Sequence, residues 1–278
     1  MRQYIVNAFT DRPFEGNPAA VCILDREIEE SQMMSIAMQN NLSETAFVTL
    51  VNERFHLRWF TPTQEVGLCG HATLAAAYVM LNHYLTRSPE ITFVTQGGEI
   101  TVRRFASLFE MTFPSIPMEE IEVTEEMQRA LGLKPREAWL GLDLILVLDS
   151  VEEVSNCVPD PVLAVGLPGR MVHVTAQDAA YTCRSRSFGP KIGITEDPVC
   201  GSAHCQIAPL WAKKLGQTLV TARQASARGG SMMCHVEDDV VKIAGQAYLY
   251  SIAELKIEPE YKRVYQEDDS PASEESEL

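Results

Sequence analysis

Residues 58 to 80 read Arg58-Trp-Phe-Thr-Pro-Thr-Gln-Glu-Val-Gly-Leu-Cys-Gly-His-Ala-Thr-Leu-Ala-Ala-Ala-Tyr-Val-Met80, and the fold follows from how this stretch is read. Its apolar start predicts a strand and Thr61-Pro62 a turn. Cys69-Gly70-His71 then opens a helix with Ala72, Ala75, Ala76 and Val79 at helical spacing. Glu65, Cys69 and His71 are thereby expected to gather where a loop becomes a helix. Backbone N–H groups are unpaired at such a point, and the helix dipole favours negative charge.

The chain repeats this pattern. Residues 186 to 202 read Arg186-Ser-Phe-Gly-Pro-Lys-Ile-Gly-Ile-Thr-Glu-Asp-Pro-Val-Cys-Gly-Ser202. Both stretches follow Arg-x-Phe-x-Pro, a spacer, Glu-x-x-x-Cys-Gly, and then a helix. Arg58 matches Arg186, Phe60 matches Phe188, Pro62 matches Pro190, Glu65 matches Glu196, Cys69 matches Cys200 and Gly70 matches Gly201. Duplication of one unit predicts two similar halves that face each other. The boundaries read as 1–117 for the first half and 118–266 for the second, with a last strand that could return to the first half. Residues 267–278 read as an acidic tail, solvated and without function.

With 46% hydrophobic and 22% charged residues over 278 positions, the chain has a globular composition and can bury a sizeable core. No apolar run reaches the length of a membrane span. The formal net charge is -15, and Glu267 to Leu278 supplies six acidic residues and no basic one. The body is acidic even without that tail, which repels phosphate backbones and argues against nucleic acid as a partner. Seven cysteines show no framework spacing, and the start Met1-Arg-Gln-Tyr-Ile-Val-Asn7 shows no signal-peptide core. Free thiols in a reducing cytoplasm are therefore expected. Cys200, His204, Cys205, Cys234 and His235 carry ligand chemistry, but no Cys-x-x-Cys spacing groups them and no metal is expected.

Along the chain, Tyr4–Phe9 and Ala19–Leu24 read as strands, and Glu27–Gln39 as an amphipathic helix that Asn40-Asn41 can end. Leu42–Leu50 is a strand entered through Ser43-Glu44. A carboxylate at the mouth of an apolar strand has two readings. Burial would raise its pKa toward that of a usable base, whereas an exposed turn residue would keep its ordinary value. Gln96-Gly97-Gly98 marks a hairpin, Thr124–Gly132 a capped helix, and Pro161–Val165 a short helix. The second central helix is expected over Gly201–Leu215, with Pro209 forcing a kink or a stop near Ala208. Each half is thus a run of strands around one central helix, an α+β arrangement. Neither half shows regular βαβ alternation or a Gly-x-Gly-x-x-Gly fingerprint.

At Gly16-Asn-Pro-Ala-Ala-Val21, Leu42-Ser-Glu-Thr-Ala-Phe47, Glu65-Val-Gly-Leu-Cys-Gly-His-Ala-Thr73 and Glu196-Asp-Pro-Val-Cys-Gly-Ser-Ala-His204, the chain resembles the PhzF-like (phenazine biosynthesis F) family. Arg228-Gly-Gly230 fits the same pattern. The resemblance implies a diaminopimelate-epimerase-like fold, with two pseudo-symmetric halves each wrapping a β-barrel-like sheet around a helix. It implies a biosynthetic isomerase without cofactor, acting on a small carboxylate-bearing substrate between the halves. It makes Glu44 the proton-moving acid and base, and places Gly70, His71, Asp197, Gly201 and Ser202 around the substrate. A homodimer is among the assemblies left open.

Cys200 departs from that resemblance, because the family carries threonine there. Cysteine at both Cys69 and Cys200 is similar to the wider superfamily's racemases and epimerases, where one thiolate removes an α-proton and the opposite thiol returns one. A helix N-terminus lowers a thiol pKa from about 8.5 into a range of roughly 3.5–7.5, which would supply the thiolate. The cysteine pair is therefore the alternative catalytic reading. A binding protein that keeps the fold without chemistry is the other, against which the Glu44-His71-Asp197 set speaks.

Overall fold

The strands Arg54–Phe60 and Glu90–Thr95 lie side by side and parallel, and the chain between them carries the helix Gly70–Val79. Cys183–Gly189 and Leu219–Gln224 are likewise parallel, with the helix His204–Leu215 between them. A short strand folds back on the incoming strand in each case, Glu65–Val66 in the first and Ile194–Asp197 in the second. The preceding crossover is duplicated as well. Asn17–Leu24 and Glu44–Val51 are parallel across the helix Glu30–Asn40. Leu144–Val147 and Val172–Gln177 are parallel across the helices Val151–Asn156 and Pro161–Val165. The repeated motif in the sequence is therefore the centre of a larger repeated unit. This arrangement comes from a computed structural model that describes residues 1–262, so the tail 267–278 lies outside the described residues.

The halves are joined through their sheets. Val240–Gly245 pairs antiparallel with Leu108–Pro114, and the closing strand Ala247–Glu254 pairs antiparallel with Arg2–Ala8. The first central helix is buried over His71–Ala77 and at Val79, and its four alanines let strands close around every face. A helix apolar all round has no solvent side to lose. The second is buried from His204 to Ala208 and at Leu210, Trp211 and Ala212, and Gly216 ends it in the left-handed region at φ 65°. Among the described residues, no helix is long and apolar enough to cross a membrane.

Three local expectations need correction. The helix runs straight through Pro209 to Leu215. Proline removes the N–H that would bond the Cys205 carbonyl, but the Ile116 N–H donates to that carbonyl at 3.0 Å from the connection between the halves. The helix also begins later than Gly201. Residues 201–203 form a turn whose bonds run three residues apart, from His204 N–H to Gly201 O at 3.0 Å and from Cys205 N–H to Ser202 O at 3.1 Å. Finally, Val151–Asn156 is a helix that the periodicity did not suggest. Its start is readable afterwards: Ser150 Oγ accepts from Glu153 N–H at 3.2 Å, and Glu153 Oε2 accepts from Asp149 N–H at 2.8 Å.

Candidate active site

Glu44 opens its strand opposite Ala19 of the parallel neighbour, and His71 is the second residue of the first central helix. His71 Nε2 lies 3.2 Å from Glu44 Oε2, with the side chains only 8% and 14% exposed. Burial pushes His71 down to about 3, so the imidazole is neutral. Burial pushes Glu44 up to about 7, the nearby charge of Asp197 adds to the rise, and a hydrogen bond with Cys69 opposes it. Glu44 is thus poised between acid and base near neutral pH.

Asn17 ties this corner to the second half. Its fully buried Nδ2 donates to Asp197 Oδ1 at 2.8 Å and to the Val199 carbonyl at 3.1 Å, and lies 3.3 Å from His71 Nδ1. Cys69 Sγ sits 3.5 Å from the same ring nitrogen. Nδ1 thus faces the Asn17 amide and the Cys69 sulfur, while Nε2 faces Glu44. Asp197 also accepts from Val199 N–H at 3.1 Å, and burial raises its carboxyl. Gln224 holds the turn that follows. Its Nε2 donates to the Asp197 carbonyl at 2.5 Å, and its Oε1 accepts from Cys200 N–H at 2.9 Å.

Glu44, Cys69, His71, Asp197 and Cys200 line one cavity of about 240 Å³ between the halves. Glu44, Cys69, Gly70, His71, Asp197, Cys200, Gly201 and Ser202, all singled out for chemistry or substrate contact, are on its wall. The glycines leave it open. A Cβ at Gly70 would meet only Phe113, at 3.7 Å, and one at Gly201 only Phe9, also at 3.7 Å, so neither glycine is demanded by protein packing. Glu44, Cys69 and His71 also place three donor atoms within 4.8 Å of one another, which is where a metal ion would be held if the site took one.

Glu65 is not part of this cluster. Its carboxylate accepts from Arg58 Nε and Nη2, both at 2.7 Å, and Glu196 accepts from Arg186 in the same fork at 2.7 and 2.9 Å. The repeated Arg and Glu are therefore a matched pair of struts. The cysteines repeat in kind. The Cys69 carbonyl accepts from Thr73 Oγ1 at 2.6 Å, and the Cys200 carbonyl lies 2.8 Å from His204 Nδ1, each from four residues on.

The expectation of lowered thiol pKa values is overturned. Burial raises Cys69 well above its ordinary value, with the charge of Glu44 adding to it, and burial and then Asp197 do the same to Cys200. Backbone N–H groups of Ala72 and Ala203 pull the other way and are outweighed.

Two residues of the site escaped the sequence reading, Asn17 behind the cavity wall and Arg170 on it. Asn17 lay within a quoted motif but was assigned no role. Arg170 gave no signal at all, since its partner Asp143 is 27 residues away. Asp143 is fully buried. Burial alone would raise its carboxyl, but His173 and Arg170 beside it hold it below the usual carboxylate range.

Pseudo-symmetric halves, each a sheet around a helix, with the functional groups between them, define the diaminopimelate-epimerase-like class of α+β proteins. A probable proline racemase from Agrobacterium radiobacter has this fold, at TM-score 0.63 and 11% identity over 93% of each chain. The family model described as phenazine biosynthesis-like protein matches residues 6–252, and the chain belongs to this PhzF-like family. An uncharacterised isomerase of Pseudomonas aeruginosa is 43% identical over 252 residues, covering 91% of this chain and 97% of that one. The crystal structure of a PhzF family protein from Enterococcus faecalis superposes with TM-score 0.90 at 43% identity, over 92% of this chain and 99% of the other.

Proposed function

We propose that the protein is a cofactor-independent isomerase that moves a proton between carbons of a small carboxylate-bearing substrate. Glu44 is its general acid and base. One observation carries this reading: Glu44 sits on the cavity wall beside a neutral imidazole, with its carboxyl raised to about 7. A base at that value is ionised in useful proportion near neutral pH and still holds a proton firmly enough to return it.

In the forward step the Glu44 carboxylate takes a proton from a substrate carbon, and the C–H bonding pair shifts into adjacent unsaturation. The carboxylic acid so formed then delivers the proton to a second carbon. No electron leaves the substrate, and Glu44 is regenerated. His71 packs against Glu44, and burial keeps the Glu44 pKa high, with the charge of Asp197 adding to it. The cavity, about 240 Å³, is smaller than pockets for drug-sized ligands, which span roughly 300–1,000 Å³, so a small acid fits the volume. The names of the related isomerases agree with the reaction class.

The two-cysteine racemase is the second reading, favoured by the presence of both sulfurs on one wall and opposed by their raised pKa values. The test is a panel of small acids, among them amino acids and cyclohexadiene acids, incubated with the protein in deuterium oxide and followed by NMR. At least one acid should gain carbon-bound deuterium with no cofactor added. Glu44→Gln should slow that exchange by about 100-fold or more. Full exchange in Glu44→Gln would overturn the assignment.

A further inference from the structure

Among the described residues, Arg170 brings the only permanent positive charge to the cavity wall. Its Nε and Nη2 donate to Asp143 Oδ1 and Oδ2 at 3.1 and 3.0 Å, and Nη2 lies 3.5 Å from Ser202 Oγ. Nη1 makes no hydrogen bond to any described residue. The partner below is anchored. Asp143 is fully buried, accepts from Met171 N–H at 3.0 Å and Gln206 Nε2 at 3.2 Å, and has His173 Nε2 3.2 Å away. The arginine itself is 40% exposed. One edge of the guanidinium fork is thus fixed in the protein, and Nη1 is left without a described partner on a residue that lines the cavity.

Neutralising Asp143 alone would not require a fork with a spare edge. The remaining ionisable carboxyls on the wall are Glu44 and Asp197, so an acid entering without Arg170 would meet no cationic side chain among the described residues. A guanidinium is suited to planar, directional recognition of a carboxylate.

We propose that Arg170, oriented by Asp143 and flanked by Ser202, receives the carboxylate of the substrate and selects acids over their uncharged analogues. Binding there fixes which end of the molecule is presented to Glu44. The proposal rests on the isomerase reading only in taking the ligand to be a small acid.

The probe pair is cyclohex-1-ene-1-carboxylate and its carboxamide, titrated calorimetrically into the full-length protein. Wild type should bind the acid about tenfold or more tightly than the amide. Arg170→Gln should lose that preference, and Arg170→Lys should recover only part of it. Because Arg170→Gln leaves a buried carboxylate unpaired, the double variant Arg170→Gln/Asp143→Asn is the fold control. It should unfold cooperatively, with a Tm no lower than that of Arg170→Gln, and still lack the preference. An undiminished preference in folded Arg170→Gln, or equal or no binding of acid and amide by wild type, would overturn the proposal. Lost preference in Arg170→Gln alongside full exchange in Glu44→Gln would keep the arginine site and remove the isomerase reading. The reverse pattern would do the opposite.

Discussion

His71 Nε2 and Glu44 Oε2 face each other at 3.2 Å, yet burial drives both groups toward their neutral forms and not toward an ion pair. The imidazole at the helix start is a neutral neighbour of Glu44, not its counter-ion. Had His71 been charged, the carboxyl would be pulled down and would hold a proton too weakly to return it to carbon.

That pairing makes stability depend on pH through Glu44. Its folded value of about 7 lies above the 4.5 of a free carboxyl, so the native state binds the proton more tightly than the unfolded chain does. The resulting stabilisation is complete below about pH 4.5 and is lost as pH rises through about 7. Glu44→Gln is neutral at every pH. In urea unfolding it should match wild type near pH 4.5 and be more stable by roughly 2–3 kcal/mol at about pH 8. Equal stability at both pH values would contradict a buried, raised carboxyl.

The Arg58–Glu65 and Arg186–Glu196 forks are held to be structural. Glu65→Gln or Glu196→Gln should lower unfolding free energy by about 1–3 kcal/mol, because a half-buried guanidinium loses its charged acceptor. Deuterium exchange per folded molecule should stay within about twofold of wild type. A large loss of exchange without loss of stability would place one of these carboxylates in the chemistry after all.

Asn17 spans the cleft, and Asn17→Ala should be felt on both sides. Asp197 loses a donor at 2.8 Å, which favours its protonated form and removes charge from beside Glu44. The acidic limb of the rate profile should move to lower pH, with exchange at neutral pH reduced by about tenfold as His71 loses its support. An unmoved limb would mean that Asp197 does not tune Glu44.

Much of the fold was legible because the repeat lies in local sequence: an Arg, a Phe, a Pro, a Glu and Cys-Gly set strand, turn and helix start within about one βα unit. The cavity wall was legible where its residues sit in those same stretches, as His71, Asp197 and Ser202 do, whereas Glu44 was marked only by the family-like motif Leu42–Phe47. What could not be read depends on distant partners. Pro209 leaves the helix intact because Ile116, 93 residues earlier, satisfies the Cys205 carbonyl. Asn17 becomes a site residue only when folding carries it to His71 and Asp197, 54 and 180 residues away. Glu65 was misplaced for a different reason. Its closeness to Cys69 in sequence suggested a shared site, but Arg58, two residues before its strand partner Phe60, offers a charged fork.

The central claim is that a carboxylate and not a thiol carries the proton, and side-by-side exchange by Glu44→Gln and Cys200→Thr tests it most directly. Both variants would be given the same acids in deuterium oxide, with carbon-bound deuterium read by NMR. Threonine can fill the space of Cys200 and keep the hydroxyl-like contact with Ser202 Oγ, now 3.4 Å from the sulfur. Cys200→Thr should therefore keep exchange within about threefold of wild type, and Glu44→Gln should fall by about 100-fold or more. Exchange lost in Cys200→Thr and kept in Glu44→Gln would show that the cysteines carry the chemistry and contradict the account.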